Sequence, residues 1–307
     1  MVALLLDGSV FTAAQAKSNG ITAWCLAEMA RRGRVRRLLH DAYVDAQVPD
    51  TVELRARALC LVMPACAVIC RRTAAWLYGI DAYAPNERDQ ALTVECVVPA
   101  RLARVRREGV RGWEETLDPE DLSTVHGVRV TTPTRTALDL ARYAPRFMGL
   151  SAVDAFCHRA LTTPSELMAC AQRFCGGRNI AIARQLIGWA EPLAESPGES
   201  WLRLRILDAG FPRPQAQIKV YDTGGRMVYR LDLGYPGLKI GLEYDGLEFH
   251  DSPEHRKHDV HRRRELDRIY GWDAYGFDRG DVLGMRPTVE LVVGGLLGIE
   301  PLLPRRW

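Results

Sequence analysis

Two short segments of alternating polar and apolar residues flank Tyr235-Pro236-Gly237, a sequence typical of a turn. We predict two neighbouring strands, Met227–Leu233 and Leu238–Asp245, that pair with their apolar sides on one face of a sheet. This pairing gathers three carboxylates on the other face: Asp232, Glu243 and Asp245. Carboxylates this close repel one another unless a cation lies among them, so the pattern predicts a site for a hard metal ion.

The elements predicted around these strands have the order helix, three strands, helix, strand. A helix over Trp201–Ala209 follows Pro197, which is a common start signal. A strand at Gln215–Tyr221 precedes the two acidic strands. A polar helix over about Pro253–Tyr270 and a strand at Trp272–Phe277 follow them.

This order, with the residues it carries, resembles the PD-(D/E)XK nuclease superfamily, in the branch similar to very-short-patch-repair endonucleases (domain of unknown function family 559). The matching residues are Glu199-Ser200, Pro214, Gln217, Asp232, Glu243-Tyr244-Asp245-Gly246, His250, Asp259, Arg262 and Leu266. The resemblance implies a restriction-endonuclease-like αβββαβ core that hydrolyses DNA phosphodiester bonds with Mg²⁺ or Mn²⁺ held by Asp232 and Glu243. The catalytic set it implies is Glu199, Asp232, Glu243, Asp245, His250, Asp259 and Arg262.

Asp245 departs from the superfamily pattern, because the third motif normally ends in a lysine that helps to position the attacking water. Other residues replace that lysine in this branch, and His250 is the candidate general base or acid, since a histidine pKa suits either role near neutrality. Metal binding is therefore better supported than catalysis. The alternative is a structural ion cluster, or a solvated sheet face, in a nuclease-like fold that does not cut.

Four of the seven histidines lie close together in the sequence, at His250, His255, His258 and His261. A zinc site is conceivable, but cysteine partners at zinc spacing are absent, and successive i, i+3 steps drift around a helix. We favour a solvated helix surface that faces DNA.

The net charge is only +3, so a basic surface for nucleic acid has to be local. Arginines are concentrated at residues 31–37, at residues 101–111 and at Arg262–Arg264. Arginine binds phosphate bidentately, so the three groups together favour DNA as a partner. The candidate DNA contacts are Arg31, Arg32, Arg34, Arg36, Arg37 and Arg263.

The N-terminal residues 1–50 have the pattern of a winged helix-turn-helix domain. Helices at Phe11–Ser18 and Ala23–Arg32 precede a hairpin formed by Val35–Leu39 and Ala42–Asp45. The region resembles the N-terminal domain of abortive-infection-type (AbiEi-like) antitoxins, although this chain has Asp41 and Ala42 where that family usually carries Arg-Gly. The alternative is a winged fold used for protein contacts or packing.

Residues 51–195 are predicted to be a mixed α/β and then helical region, with short strands at Ala65–Cys70, Leu92–Val98, Val110–Glu114 and Val128–Thr131. Within it, Thr131–Leu140 and Arg72–Leu77 resemble signatures of the same antitoxin-like family. Arg135 and Asp139 are four residues apart on a helix and should pair. The segment Glu191–Gly198 is the best domain boundary, which leaves residues 196–307 as the nuclease-like domain. The overall fold class is therefore α+β or α/β in three parts.

The compartment expected from the composition is the cytoplasm. Eight cysteines without metal or disulfide spacing are typical of a reducing compartment. The apolar opening Val2–Leu6 is too short for a signal peptide or a membrane span, so we expect no membrane contact.

Two functions from different classes follow. The main hypothesis is a metal-dependent DNA endonuclease that an N-terminal DNA-binding domain directs to its target. The alternative is a non-catalytic DNA-binding transcriptional regulator, or the antitoxin of a type IV toxin–antitoxin pair with a cognate toxin as partner.

Overall fold

The structure is a computed structural model that describes residues 8–83, 92–246 and 253–303, without the side chains of residues 253–261. Within these residues the chain has a mixed α+β fold with three sheets, of two, five and four strands. The chain divides into two compact units, residues 1–140 and residues 141–307. No helix in the described ranges is long and apolar enough to cross a membrane.

The first unit begins with two short helices and a hairpin at the places that the sequence predicts. These elements are α1 (Ala13–Ser18), α2 (Ala23–Arg31), β1 (Val35–Leu39) and β2 (Ala42–Asp45). Thr12 caps α1 in a capping box with Gln15, and Thr22 caps α2 by accepting a hydrogen bond from a backbone N–H. Phe11, Ile21 and Leu26 are buried between the helices and the hairpin, which fixes the angle between them.

Asp41 stands at the hairpin turn and is one of the two residues at which the N-terminal sequence departs from the family that it resembles. Its φ of 64° is a left-handed conformation that aspartate tolerates better than most residues. Its Oδ1 accepts a hydrogen bond of 2.9 Å from the backbone N–H of Ala13, and its Oδ2 lies 2.9 Å from Arg107 Nη2. The acid at this turn therefore holds the start of α1, instead of facing a ligand as an unpaired charge.

The rest of the first unit is a five-stranded mixed sheet in the order β5-β4-β3-β7-β6, with helices around it. Its elements are α3 (Val52–Val62), β3 (Val68–Ile69), α4 (Arg71–Leu77), β4 (Val94–Val98), β5 (Val110–Glu114), β6 (Leu122–Val125), β7 (Val128–Thr131) and α5 (Pro133–Tyr143). The predicted Arg135–Asp139 pair is confirmed, with Nε 2.9 Å from Oδ2. Arg135 also bonds to Asp121 at 2.8 Å and to Glu115, so one fully buried guanidinium joins three carboxylates.

The second unit contains three helices, then the predicted order helix, three strands, helix, strand, and two final helices. Its elements are α6 (Arg146–His158), α7 (Pro164–Gln172), α8 (Ile180–Gly188), α9 (Pro197–Asp208), β8 (Gln215–Tyr221), β9 (Met227–Tyr235), β10 (Ile240–Asp245), α10 (Pro253–Tyr270), β11 (Asp273–Asp278), α11 (Arg279–Leu283) and α12 (Thr288–Leu297). The sheet order is β11-β10-β9-β8, with β10 and β11 parallel and the other neighbours antiparallel.

Helices α6 and α9 are joined by buried ion pairs. Asp154 of α6 pairs with Arg203 of α9 and accepts a hydrogen bond of 2.6 Å from Ser200. Arg146 pairs with Asp208 at 2.5 Å. The expected boundary near residue 195 therefore falls inside this compact unit, and the division into three domains stays a prediction.

Candidate functional site

Four carboxylates, one from α9, one from β9 and two from β10, come together at one place in the second unit. Ser196 caps α9 and places Glu199 in its first turn, where Glu199 accepts hydrogen bonds from Gln217 Nε2 at 2.8 Å and from the backbone of Glu195 at 3.1 Å. Asp232 Oδ2 accepts the backbone N–H of Tyr244 at 2.9 Å. This bond ties β9 to β10 beside Glu243, which is only 5% exposed. We call Glu199, Asp232, Glu243 and Asp245 the carboxylate cluster.

The carboxylate cluster lies where the sheet stops packing against α9 and begins to pack against α10. Leu233 of β9 packs in the hydrophobic cluster of α9, whereas Leu231 packs with Leu266 of α10. The neighbouring strand β8 makes the same change across Gln217, whose φ is 51°. Leu231 and Leu233, which the sequence pattern placed on one apolar face, thus pack in two different hydrophobic clusters. The Gln217 side chain, between the two clusters on β8, donates to Glu199.

Burial and mutual repulsion perturb the acids of the cluster. Burial, followed by the neighbouring charges of Glu199 and Glu243, raises the pKa of Asp232 to about 7. Burial likewise raises the pKa of Glu243, against the opposing effect of Arg262. An ionised Asp232 is therefore disfavoured at this position, which is the situation that the sequence pattern predicted for crowded carboxylates without a metal.

Arginines of α10 supply positive charge to the cluster. Arg262 Nη2 lies 2.6 Å from Glu243 Oε1, and Arg263 Nη2 lies 2.9 Å and 2.7 Å from the two oxygens of Asp245. Gly276 of β11 makes room for the second pair, because a Cβ at this position would overlap both Arg263 and Asp245. Arg262 was predicted as a site residue and Arg263 as a DNA contact; both face carboxylates of the cluster, and the roles predicted for them stay predictions.

The arrangement does not fit a metal centre as it stands. Within the described ranges no three histidine, cysteine, aspartate or glutamate side chains are placed to hold a metal ion. Glu243 and Asp245 already bond to guanidinium groups, and Mg²⁺ requires near-ideal octahedral coordination by oxygen. The predicted metal ligands Asp232 and Glu243 are thus brought together, but with an arginine among them.

The remaining predicted site residues lie outside the part of the chain whose side chains the structure describes. His250 lies outside the described residues, and so do the side chains of Asp259, His255, His258 and His261 on α10. The proposed general base and the zinc alternative stay predictions.

The arginines of the N-terminal hairpin region differ in what they contact. Glu28 of α2 holds both Arg31, at 2.7 Å, and Arg32, at 2.6 Å. Both guanidinium-bearing side chains nevertheless stay largely exposed, at 73% and 60%. The i, i+3 and i, i+4 spacing of the two arginines from Glu28 is the sequence signal from which this pairing could have been predicted.

The next three arginines lie at or on strand β1. Arg36 donates to the Val48 carbonyl at 2.8 Å, and Arg37 lies 2.6 Å from His40 Nδ1. Arg34 is exposed, and its side chain has no hydrogen bond or ion pair with the described part of the chain. Among these residues, Arg34 is the one whose charge is least engaged within the protein.

The outer face of α2 is apolar at its beginning. Trp24 is 76% exposed, and Ala23, Cys25 and Ala27 beside it are also exposed. A groove of about 330 Å³ lies next to this face, between α1 and α2. The helix thus offers an aromatic ring and small side chains first, and arginines only at its end.

Comparison with known proteins identifies the middle of the chain. Residues 67–189, which include the five-stranded sheet and helices α4 to α8, match the AbiEi antitoxin C-terminal domain. Two uncharacterized proteins of Mycobacterium tuberculosis, MT2308 and Rv2248, are each 31% identical to this chain over 245 residues. The aligned part is 79% of this chain and 84% of each relative. The AbiEi match ends before α9, so the carboxylate cluster lies outside it.

Proposed function

We propose that the chain is a DNA-binding regulator of the antitoxin type. The chain belongs to the same family as the two mycobacterial proteins, and its residues 67–189 match the AbiEi antitoxin C-terminal domain. The match to the AbiEi domain is the observation that carries the proposal. A nuclease, the main hypothesis from the sequence, becomes the second candidate function, because the comparisons give it no support.

The DNA-binding part of the proposal rests on the N-terminal helices and hairpin. In a winged helix-turn-helix the second helix enters the major groove and the hairpin lies along the backbone. We assign these roles to α2 and to the β1–β2 hairpin. Arg31 and Arg32 at the end of α2, with Arg34 before β1, then reach phosphates on the same side.

The chemistry of α2 favours binding led by phosphate contacts. Base edges are distinguished mainly by arginine, lysine, asparagine, glutamine and acidic side chains. The exposed beginning of α2 carries Trp24 and small residues, which offer few such groups. We therefore expect strong salt dependence and modest discrimination between sequences, with Trp24 contributing apolar contact.

The antitoxin part of the proposal concerns residues 67–189. An antitoxin implies a cognate toxin, so we expect this chain to counteract a toxin encoded beside it. The buried Arg135 network gives this region a rigid core, because one guanidinium bonds to three carboxylates at once. A rigid scaffold suits a protein that works through binding and not through chemistry.

Two cellular readouts test the proposal together. The DNA upstream of the coding sequence is placed before a reporter gene, and repression by wild type is compared with repression by Arg34→Ala and by Arg226→Ala, an exposed arginine at the β8–β9 turn. We expect loss of repression with the first variant only. Expression of the neighbouring toxin should arrest growth, and co-expression of this chain should relieve the arrest. Unchanged growth arrest and no repression would refute the proposal.

A metal-dependent nuclease is the second candidate function, and one observation favours it. Asp232 is largely buried beside Glu199 and Glu243, and this burial, followed by the charges of the two neighbouring acids, raises its pKa, as at acids gathered for a cation. Mg²⁺ or Mn²⁺ would lie at Asp232 and Glu243 under this hypothesis, with Arg262 displaced. Cleavage of supercoiled DNA that requires either metal and is lost in Asp232→Ala and Glu243→Ala would establish it. Binding without cleavage in all three proteins would eliminate it.

A further inference from the structure

The exposed face at the beginning of α2 is grouped with a groove of the same apolar character. Ala23, Trp24 and Ala27 are exposed on this face, and Trp24 is 76% exposed. The adjoining groove between α1 and α2 is lined mainly by apolar side chains, with Lys17 and Tyr43 as its polar members. Exposed apolar groups that lie together in this way, and are not scattered singly, indicate a contact surface.

The end of the same helix carries the charge that indicates what this surface contacts. Arg31 and Arg32 are largely exposed, and Arg34 follows them. Glu28, the one acid in the sequence of α2, bonds to both Arg31 and Arg32, so positive charge remains in excess. A second copy of the chain would bring the same arginines to the contact, and like charges oppose such a pairing. The phosphates of DNA instead complement this charge.

The spacing along α2 fits the major groove of a duplex. Trp24 and Arg31 are seven residues apart, almost two helical turns, so both lie on the same side of the helix. Their separation along the helix axis is about 10 Å, and the major groove of B-DNA is about 12 Å wide. When Arg31 reaches a phosphate at the edge of the groove, Trp24 therefore lies over the edges of the base pairs.

We propose that Ala23, Trp24 and Ala27 recognise thymine through its C5-methyl group, so that the preferred DNA sites carry thymines under this face of α2. The methyl group is the feature of the major groove that a side chain recognises by apolar contact, without a hydrogen bond. The indole ring supplies apolar area, and the two alanines let the helix approach the bases closely. This inference rests on the proposed DNA-binding function and names the base feature behind its modest discrimination between sequences.

Replacing thymine by uracil tests the proposal, because uracil lacks the methyl group and keeps every hydrogen-bonding group of thymine. A labelled duplex from upstream of the coding sequence is prepared with thymine and, at the same positions, with uracil. Binding of each duplex by full-length wild type, Trp24→Ala and Arg34→Ala is measured by fluorescence anisotropy. Arg34→Ala is the matched control, since Arg34 is assigned to a phosphate and not to a base.

The expected ratio follows from the apolar area of a methyl group. Loss of one buried methyl should weaken wild-type binding about fourfold, and loss of two about fifteenfold. Trp24→Ala should bind the two duplexes almost equally. Arg34→Ala should bind both more weakly and keep the wild-type ratio.

The outcomes separate this inference from the function on which it rests. Equal binding of the two duplexes by wild type, or an unchanged ratio in Trp24→Ala, would overturn the inference and leave the proposed DNA binding in place. Absence of wild-type binding to both duplexes would refute the proposed DNA binding and the inference together.

Two further measurements exclude other causes of a changed ratio. Because Trp24 is so exposed, its truncation should leave the protein folded, which circular dichroism checks, and Trp24→Ser, a second variant without the ring, should lose the thymine preference as well. Sedimentation equilibrium tests a second copy as the occupant of this face. A wild-type dimer that Trp24→Ala converts to a monomer, with the thymine preference unchanged, would overturn the inference.

Discussion

Replacing Asp232 by asparagine should stabilise the protein, and more so at alkaline pH. The carboxyl group is partly buried near Glu199 and Glu243, and its pKa is raised from 3.8 to about 7. Asparagine keeps the oxygen that accepts the Tyr244 backbone N–H, and it removes the negative charge that burial and the two neighbouring acids oppose. The substitution therefore relieves a local electrostatic penalty while the bond between β9 and β10 is retained.

The size of the effect follows from the pKa. A folded-state pKa above the unfolded value means that the folded protein binds more protons, so this group's contribution to stability is fully present below pH 4 and is lost as the pH rises to about 7. One pKa unit corresponds to about 1.4 kcal/mol, so the shift from 3.8 to about 7 gives a total loss of about 4 kcal/mol. Between pH 5 and pH 8 the expected change is roughly 2–3 kcal/mol.

The assay is urea unfolding of wild type and Asp232→Asn at pH 5, 6, 7 and 8. It is followed by tryptophan fluorescence, to which the buried Trp201 and Trp272 of the same unit contribute. The free energies of unfolding of the two proteins should diverge as the pH rises. Asp267→Asn, which removes an exposed carboxylate of α10, is the control and should change stability by less than about 0.5 kcal/mol. A variant that is no more stable at pH 8, or a difference independent of pH, would refute the reasoning.

Three further changes probe other parts of the fold. Arg135→Met should lower the free energy of unfolding by about 3–5 kcal/mol, because three carboxylates lose their buried counter-ion, and calorimetry would measure it. Gly276→Ala should lower the free energy of unfolding by about 1–3 kcal/mol, since its Cβ would overlap the arginine–carboxylate pair beside it. Gly188→Ala, whose Cβ would meet open space, is the control. Equal midpoints of the two variants in denaturant would contradict the prediction. Thr163→Ala removes the capping box with Glu166 and should cost about 1 kcal/mol, measured by thermal unfolding; an unchanged midpoint would show that the cap is dispensable.

Local signals in the sequence were sufficient for several elements. The hairpin strands at residues 35–39 and 42–45 and the helix at residues 253–270 have the predicted bounds. The capping threonines fix where the N-terminal helices begin, and the turn residues fix the hairpin, so neighbouring residues alone determine these bounds. The pair Arg135–Asp139 is equally local, since a helix brings residues four apart together.

Other elements depend on contacts that local patterns do not encode. The strand predicted at Ala65–Cys70 is reduced to residues 68–69, because the backbone N–H of Ala67 donates to Pro64 in a turn. The strand at residues 122–125 was not predicted, and it forms by pairing with residues 128–131 in the sheet. Tertiary pairing thus created one strand, and a turn shortened another.

The candidate site likewise has some features that the local sequence predicts and others that depend on tertiary contacts. The sequence predicted that Asp232 and Glu243 would lie together, since strand pairing alone brings them close. It placed Arg262 and Arg263 on the adjacent helix, but the rotation of that helix and the space beside Gly276 decide which acids they reach. The change of packing partner at Gln217 could not be foreseen either, because a left-handed backbone in a strand has no signature in a single glutamine.

The salt dependence of DNA binding tests the regulator proposal most directly. A labelled duplex from upstream of the coding sequence is titrated with wild type, Arg34→Ala and Arg226→Ala at several salt concentrations, and binding is measured by fluorescence anisotropy. Wild-type affinity should fall steeply with salt, and Arg34→Ala should reduce the slope by about one phosphate contact, roughly 0.9 in log affinity against log salt. Arg226→Ala should leave the slope unchanged. Absence of binding, or equal slopes in all three proteins, would contradict the assignment of the N-terminal helices and hairpin to DNA.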